Sequence, residues 1–319
     1  MVIIEAKRKA FDLTKLTYVP TVIIVFVITQ VPFAVTIIFS FLKWNVKRMD
    51  LGIHFSWFKN YIDIFTMGNF WTVLLNTLLI IVVCLFTCTI LAILLGVLFN
   101  RKFPGSYIFR TMFILPYFVM DCVVGIVWKT LILDPNMGLN HYLSNLFGTS
   151  AIDFFGKYSL LTIMILIIWQ WTPFFFMIII AGLQSLPMEV LESSSLEGAN
   201  AFQQLIYIKI PMIKEHIITA MTLGLINILK VFGLVYVTTS GGPGVSSANL
   251  PYLTYRTIFN DWNVGRAAAL AVITVAITLF ISQNFFKLIN RKSPDDEVVP
   301  SDKVKKKSLL GKKTREVKA

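Results

Sequence analysis

Six continuous apolar stretches, at 18–42, 71–99, 107–133, 160–183, 217–239 and 267–289, dominate this chain. Each reaches the roughly 17–25 residues that a helix needs to cross a bilayer. Lipid offers no partners to backbone N–H and C=O groups, so only helices and closed barrels cross it. Barrel strands alternate apolar and polar residues, and these stretches do not alternate. They read as helices, which makes the fold class an all-α membrane protein with six transmembrane helices. Charge agrees: 14% of the 319 residues are charged, against about 25% in soluble domains.

Lysine and arginine placement orients the bundle, because positive charge concentrates in cytoplasmic loops. With the N-terminus inside, the cytoplasmic side collects Lys7, Arg8, Lys9 and Lys15, then Arg101, Lys102 and Arg110, then Lys209 and Lys214, then the basic tail. Both termini are thus expected in the cytoplasm. Lys43, Lys47, Arg48 and Lys59 form an exception on the opposite side. The first apolar run is longer than a signal-peptide core and is followed by no A-x-A-like site, so it is expected to stay as an anchor. The domain plan is a cytoplasmic segment 1–17, a membrane domain 18–290 and a basic tail 291–319. The tail has few large apolar residues and is expected to be disordered. Its lysines, Lys305 to Lys307 with Lys312 and Lys313, would each gain about 1 kcal/mol near an anionic membrane surface. No nucleic-acid role is expected. Cys84, Cys88 and Cys122 fall inside spans and read as small buried hydrophobes. His54, His141 and His216 are scattered, so no metal site or bound cofactor is expected.

Two prolines, Pro116 and Pro173, sit inside the third and fourth spans, and each should kink its helix. The outward loop 43–70 is rich in aromatic residues, including Trp44, Trp57, Phe58 and Tyr61, as suits a membrane interface. The outward loop 240–264 opens with Gly241, Gly242, Pro243 and Gly244, a flexible turn rich in backbone donors.

The segment 184–211 is polar where its neighbours are greasy. Pro187 suits the first turn of a helix, and Glu189 lies at the positive end of that helix's dipole. Gly198 is the natural break, because glycine takes left-handed angles at little cost. A second short helix from Phe202 to Ile210, with Ala199, Phe202, Ile206 and Lys209 on one face, should end at Pro211. Two readings fit: a cytoplasmic knob for a partner to grip, or an amphipathic segment lying on the membrane.

Asn76, Asp121, Lys129, Gln170, Asn227 and Lys230 are polar or charged at or near membrane depth, where ionisable groups usually face the bundle or water. Lys129 suits a snorkelling position. Asp121 and Lys230 are either a structural pair or path-lining groups. Asn227 and Lys230, three apart, share a helix face and suit hydrogen bonds to solute hydroxyls. Trp169, Trp171 and Phe174 suit either stacking on a solute or packing. Asp121 is the lone intramembrane carboxylate available to an ion-coupled secondary carrier, the principal alternative function. No enzyme constellation is visible.

The segment Glu192-Ser193-Ser194-Ser195-Leu196-Glu197-Gly198-Ala199, with Phe202, Gln203, Ile208 and Pro211 at matching steps, resembles the EAA loop of binding-protein-dependent ABC importer permeases. That loop reads E-A-A-x-x-D-G-A and closes on a proline. Here serines replace both alanines and Glu197 replaces the aspartate. Asn76-Thr77, Leu115-Pro116, Gly138-Leu139-Asn140 and the run Thr238 to Gly244 are similar to the first permease of the sugar-importer pairs. Gly233 stands where that branch often carries an acid. The resemblance implies a type I permease fold in the plasma membrane of a prokaryote, and import of a sugar, oligosaccharide or sugar alcohol. It also implies a second permease subunit, two cytoplasmic ATPase subunits and an extracytoplasmic binding protein. Glu192, Glu197, Gly198, Ala199, Phe202 and Pro211 would couple to the ATPase. Asp121, Trp171, Asn227 and Lys230 are the candidate path residues, and Gly241, Gly242, Pro243 and Gly244 would face the binding protein. The chain has no G-x-x-x-x-G-K-[ST] run to cradle phosphates, so ATP and magnesium are expected on the partner.

Overall fold

The computed structural model of the protein describes residues 2–100 and 104–289. Arg101, Lys102 and the tail 291–319, which carry part of the topology signal, lie outside the described residues, and so do the side chains of 1–17. The chain falls into a unit from Met1 to Ser282 and a second from Gln283 onward, whose described part, 283–289, is helical.

The structure is helical nearly throughout. The first helix, α1 (Val2–Ser40), runs into a short antiparallel ribbon of β1 (Leu42–Lys43) and β2 (His54–Phe55), followed by α2 (Lys59–Thr66). The second span is α3 (Gly68–Phe99). The third comprises α4 (Ser106–Ile114), a 3-10 turn, α5 (Asp121–Ile126) and a π-helical turn. Short helices α6 (Leu139–Leu146) and α7 (Phe154–Lys157) lead to the fourth span, α8 (Ser159–Gln184). A corner made of α9 (Met188–Leu196), α10 (Ala201–Gln203) and α11 (Ile210–Met212) precedes α12 (Lys214–Leu229), α13 (Gly233–Thr238), α14 (Leu250–Phe259) and α15 (Val264–Ile289).

Among the described residues, four helices are long and apolar enough to cross a membrane alone, and two bent helix pairs bring the number to six if each is one span. The core is the packing of α3 along α8, with α12 against both. Its buried side chains include Phe175, Phe176, Ile163, Leu166, Cys84 and Cys88. Among the described residues, none of the most apolar 18-residue window of α1 is buried, which leaves that apolar surface to lipid or another subunit.

The third and fifth spans are not the single helices that hydropathy suggests. The third bends by 97° between Ser106–Phe118 and Asp121–Ile132. Its ends are tied down: Arg110 Nε donates to Phe99 O at 3.1 Å at one, and Asn140 Nδ2 ties Leu133 O to Ile152 O at the other. Pro116 does not break the helix at its own position, because it occupies the first turn of the 3-10 segment, where its missing N–H costs nothing. The break falls at Val119 and Met120, both extended. By contrast, α8 continues unbroken through Pro173. The fifth span, expected over 217–239, stops as a helix at Leu229 and resumes at Gly233.

Each interruption frees backbone groups inside the bundle, and each is answered by a buried side-chain amide. Gln170 Nε2 donates to Val119 O at 2.9 Å, and Asn249 Nδ2 donates to Val231 O at 2.6 Å. Both amides are 3% exposed. Irregular backbone persists in a bilayer only where protein or trapped water satisfies it in this way.

Candidate functional site

The corner after α8 is the most completely specified local structure in the chain. Helix α9 ends at Leu196 with Glu197 as its cap, and Gly198 follows with φ +88°. Gly198 N–H donates to Ser195 O at 3.1 Å, and Ala199 N–H to Ser194 O at 3.0 Å. This double closure is the Schellman arrangement, which satisfies carbonyls orphaned at the helix end. A Cβ at residue 198 would meet no atom within 4 Å, so glycine is required by backbone angle rather than by space.

One residue later the next helix is capped from the other direction. Asn200 Oδ1 accepts from Gln203 N–H at 2.8 Å, while Asn200 N–H donates to Gln203 Oε1 at 2.9 Å. This reciprocal box fixes the helix start. Gln204 Nε2 then reaches back to Ser195 Oγ at 2.8 Å, tying the two arms. The replacement of alanine by Ser194 is accommodated: the side chain is buried and its hydroxyl donates to Leu191 O at 2.8 Å.

Pro211 does not end the second arm. Helical turns continue to Met212, and the chain bends by 69° at Ile213 before α12. Proline removes one N–H from the ladder. The preceding turn widens to π geometry over Gln204–Lys209, with Ile210 N–H donating to Leu205 O. A π turn in this place is a local adjustment to the lost bond.

The corner is fixed to the bundle at its base. Gly182 near the end of α8 lies so close to His216 in α12 that a Cβ there would stand 2.6 Å from the His216 ring. Outward, the corner presents large apolar groups: Leu196 is 90% exposed, Phe202 70% and Tyr207 75%. Glu192, Glu197 and Gly198 are also exposed, and Ala199 is half-buried. A cleft of about 320 Å³ opens beside them, lined by Glu197, Gly198, Ala199, Gln203, Tyr207 and Ile208.

The membrane-depth residues meet in part. Asp121 Oδ1 accepts from Gln170 Nε2 at 2.9 Å. Asp121 and Lys230 are not an ion pair; the ion pairs among the described residues are Arg48–Asp50 and Arg266–Asp63. Lys230 is exposed at the end of α12, where the fifth span is interrupted. Asn227 turns its amide to Leu223 O on its own helix at 2.9 Å. Trp171 packs with Tyr117 and Phe174 at centroid distances of 5.6 and 6.0 Å, and its buried indole N–H has no partner. Gly233 shows why this position carries no acid here: a Cβ there would lie 2.8 Å from Cys122 Sγ and 3.3 Å from Asp121 Cβ. The starts of α5 and α13 therefore sit together at the level of Gln170. Lys129 does more than reach for the interface, since its Nζ donates to Val237 O at 3.1 Å.

The loop after α13 is a fastened turn rather than a loose one. Gly242 N–H donates to Thr239 O at 2.9 Å, and Ser247 Oγ to Gly242 O at 2.7 Å. Asn76 Nδ2 lies 3.0 to 3.2 Å from the carbonyls of Val245, Ser246 and Ala248. Pro243 and Gly244 remain exposed, Gly242 is half-buried, and Gly241 is buried. Sequence reading passed over Asn249, which both caps α14 through Tyr252 N–H and holds Val231 O. Its signal was present as an Asn two residues ahead of Pro251, a helix-start pattern.

Comparison with known proteins agrees with this architecture. Residues 88–293 match the family described as binding-protein-dependent transport system inner membrane component. The chain is 31% identical over 82% of its length, and 85% of the relative's, to "Probable ABC transporter permease protein y4oQ" of Sinorhizobium fredii. It is 26% identical to the trehalose transport system permease protein SugA of Mycobacterium tuberculosis, covering 91% of this chain and 92% of the relative. Among solved structures, a chain of a bacterial alginate ABC transporter, crystallised with an alginate pentasaccharide-bound periplasmic protein, superposes with TM-score 0.74 at 22% identity. That match covers 90% of this chain and 96% of the other. The fold is that of a type I ABC importer permease.

Proposed function

Because the chain belongs to the family of binding-protein-dependent transport system inner membrane components, we propose that it is the membrane-spanning subunit of an ATP-driven carbohydrate importer. In this reading the corner 184–212 docks on a cytoplasmic ATPase subunit. A second permease subunit completes the path, a second ATPase pairs with the first, and an extracytoplasmic binding protein delivers the solute to the side carrying the 240–248 turn. Both termini are then cytoplasmic. The carrying observation is the corner itself: two arms locked by opposed caps, rooted in α8 and α12, and presenting Leu196, Phe202 and Tyr207 to the exterior. Large apolar groups exposed beside a rigid frame are what a partner's groove covers.

A carbohydrate cargo is supported by the named relatives, among them the trehalose/maltose transport system permease protein MalF of Thermococcus litoralis. The site chemistry is compatible. Asp121 and the exposed Lys230 offer hydrogen-bonding groups at the two interrupted helices, and α8 adds the unpartnered Trp171 indole N–H beside the aromatic faces of Tyr117 and Phe174.

The deciding experiment is reconstitution in vesicles with and without the co-purifying ATPase. Solute uptake should require ATP and the partner. Uptake by this chain alone, driven by an ion gradient, would establish the secondary-carrier reading instead.

A further inference from the structure

Lys43, Lys47, Arg48 and Lys59 place positive charge in a loop where the topology rule expects little. The fold gives three of them a common destination. Lys43, Arg48 and Lys59, joined by Arg266 from the first turn of α15, surround a cavity of about 220 Å³ that also contains Asp63. The frame is built. Asn60 Nδ2 donates to Ser40 O and Leu42 O at 2.8 and 2.9 Å, pinning the end of α1. Gly265 N–H donates to Trp44 O at 3.2 Å, and Asn45 bridges to Asn263, bringing α15 alongside.

Charge within the cavity does not balance. Among the described residues lining it, Asp63 is the one carboxylate, 3.5 Å from Arg266 Nη2, and Asp50 reaches Arg48 at 4.0 Å with both side chains well exposed. An exposed contact of that length contributes little. Lys43 and Lys59 have no ion pair among the described residues. Arg266 Nε is buried without a hydrogen-bond partner. A buried N–H without an acceptor is costly even when the same guanidinium meets a carboxylate through another nitrogen, and a guanidinium fork is shaped for an oxyanion.

Size and position narrow the ligand. At about 220 Å³ the cavity is smaller than the roughly 300–1,000 Å³ typical of pockets for drug-sized molecules. It suits a headgroup rather than an oligosaccharide. It opens at the C-terminal end of α1, whose apolar window is unburied among the described residues. Phe41, Phe55, Phe58 and Tyr61 cluster beside it, the aromatic signature of headgroup depth.

We propose that this cavity binds the phosphate of an anionic phospholipid headgroup at the membrane face remote from the 184–212 corner. The site would seat the end of α1 and the start of α15 against the lipid. The inference rests on the cavity and the membrane crossing, not on the identity of the transported solute.

The test is native mass spectrometry of the purified transporter in detergent, titrated with phosphatidylglycerol, phosphatidylcholine or inorganic phosphate. Thermal unfolding without added lipid serves as the folding control. Phosphatidylglycerol should bind in preference to phosphatidylcholine. Lys43→Gln with Lys59→Gln, both at exposed positions, should keep the unfolding temperature. Near-surface cations each contribute about fivefold, so the pair should weaken phosphatidylglycerol binding roughly 25-fold. Arg266→Gln should abolish the preference, and Arg266→Lys should retain part of it. Equal binding of the two lipids, unchanged affinity in the double variant, or occupancy by inorganic phosphate at the same concentration as the lipid would each overturn the proposal. None of these outcomes touches the assignment of the corner.

Discussion

Substitution at Gly198 separates backbone angle from every other contribution, because its surroundings are empty. At φ +88° with no atom within 4 Å of an added Cβ, Gly198→Ala introduces no collision. It meets only the left-handed penalty of about 1–2 kcal/mol for an L-residue, equivalent to roughly a 5–30-fold loss in population of the bent corner. Gly198→Asn should suffer less, since asparagine visits this region more readily. Gly198→Pro is a larger perturbation. Its φ is fixed near −65°, and it deletes the N–H that donates to Ser195 O, together about 3 kcal/mol or more. It also disfavours the helical angles that Glu197 adopts. The assay is ATP hydrolysis by the reconstituted complex, stimulated by solute-loaded binding protein and normalised to inserted permease. Insertion should be unchanged, because the corner lies outside the α3–α8–α12 core. Coupled hydrolysis should fall in the order Gly, Asn, Ala, Pro, with more than a hundredfold loss in the last. Wild-type coupling in the proline variant would refute both the mechanical role of the corner and the reasoning from its angle.

Phe202→Ala and Tyr207→Ala remove exposed rings, so thermal stability should stay within about 0.5 kcal/mol. ATPase capture in a pull-down should weaken by about 1–2 kcal/mol each if these are docking anchors. Gln170→Leu leaves Val119 O and the Asp121 carboxyl without their amide. It should cost about 1–3 kcal/mol of stability, read as a lower unfolding temperature in detergent. Asn76→Ala frees the carbonyls of Val245, Ser246 and Ala248, and limited proteolysis should then cut within 241–248 at least several times faster.

What the sequence made legible follows from the range of the forces involved. The long apolar helices, the Gly198 joint and the helix start before Glu189 rest on local composition and backbone preference, which a linear reading captures. The helix interruptions do not. Val119 and Met120 carry no glycine or proline and look like ordinary helix. They are extended because Gln170, fifty-one positions along, accommodates the freed carbonyl. Pro116 drew the kink to the wrong residue, since a proline signals where a helix can begin as well as where it fails. At Pro211 the same ambiguity recurs, and the second arm runs one residue past it. Of the two readings of Asp121 and Lys230, the ion pair is not formed, because the amide of Gln170 takes that place at Asp121.

Where the bundle can yield follows from the same contrast. The corner is held by opposed caps and by a cross-link from Gln204 to Ser195, and its roots meet at Gly182 and His216 in contact too close for a methyl group. A displacement imposed on it must therefore pass into α8 and α12 with little absorbed locally. Helical turns run on through α8, past Pro173, and through α12 as far as Leu229, where tight turns (Lys230 N–H to Asn227 O, Val231 N–H to Ile228 O) close the helix and the Asn249 amide holds Val231 O. On the facing element the corresponding point is Val119, held by the amide of Gln170. One neutral hydrogen bond contributes about 0.5–1.5 kcal/mol net, far below the cost of bending an intact helix ladder. Angular change should thus concentrate at 119–120 and 230–232, which the packing of Gly233 against Cys122 and Asp121 places beside one another. Work delivered at Gly198 would be spent at the level where Asp121, Gln170 and Trp171 stand.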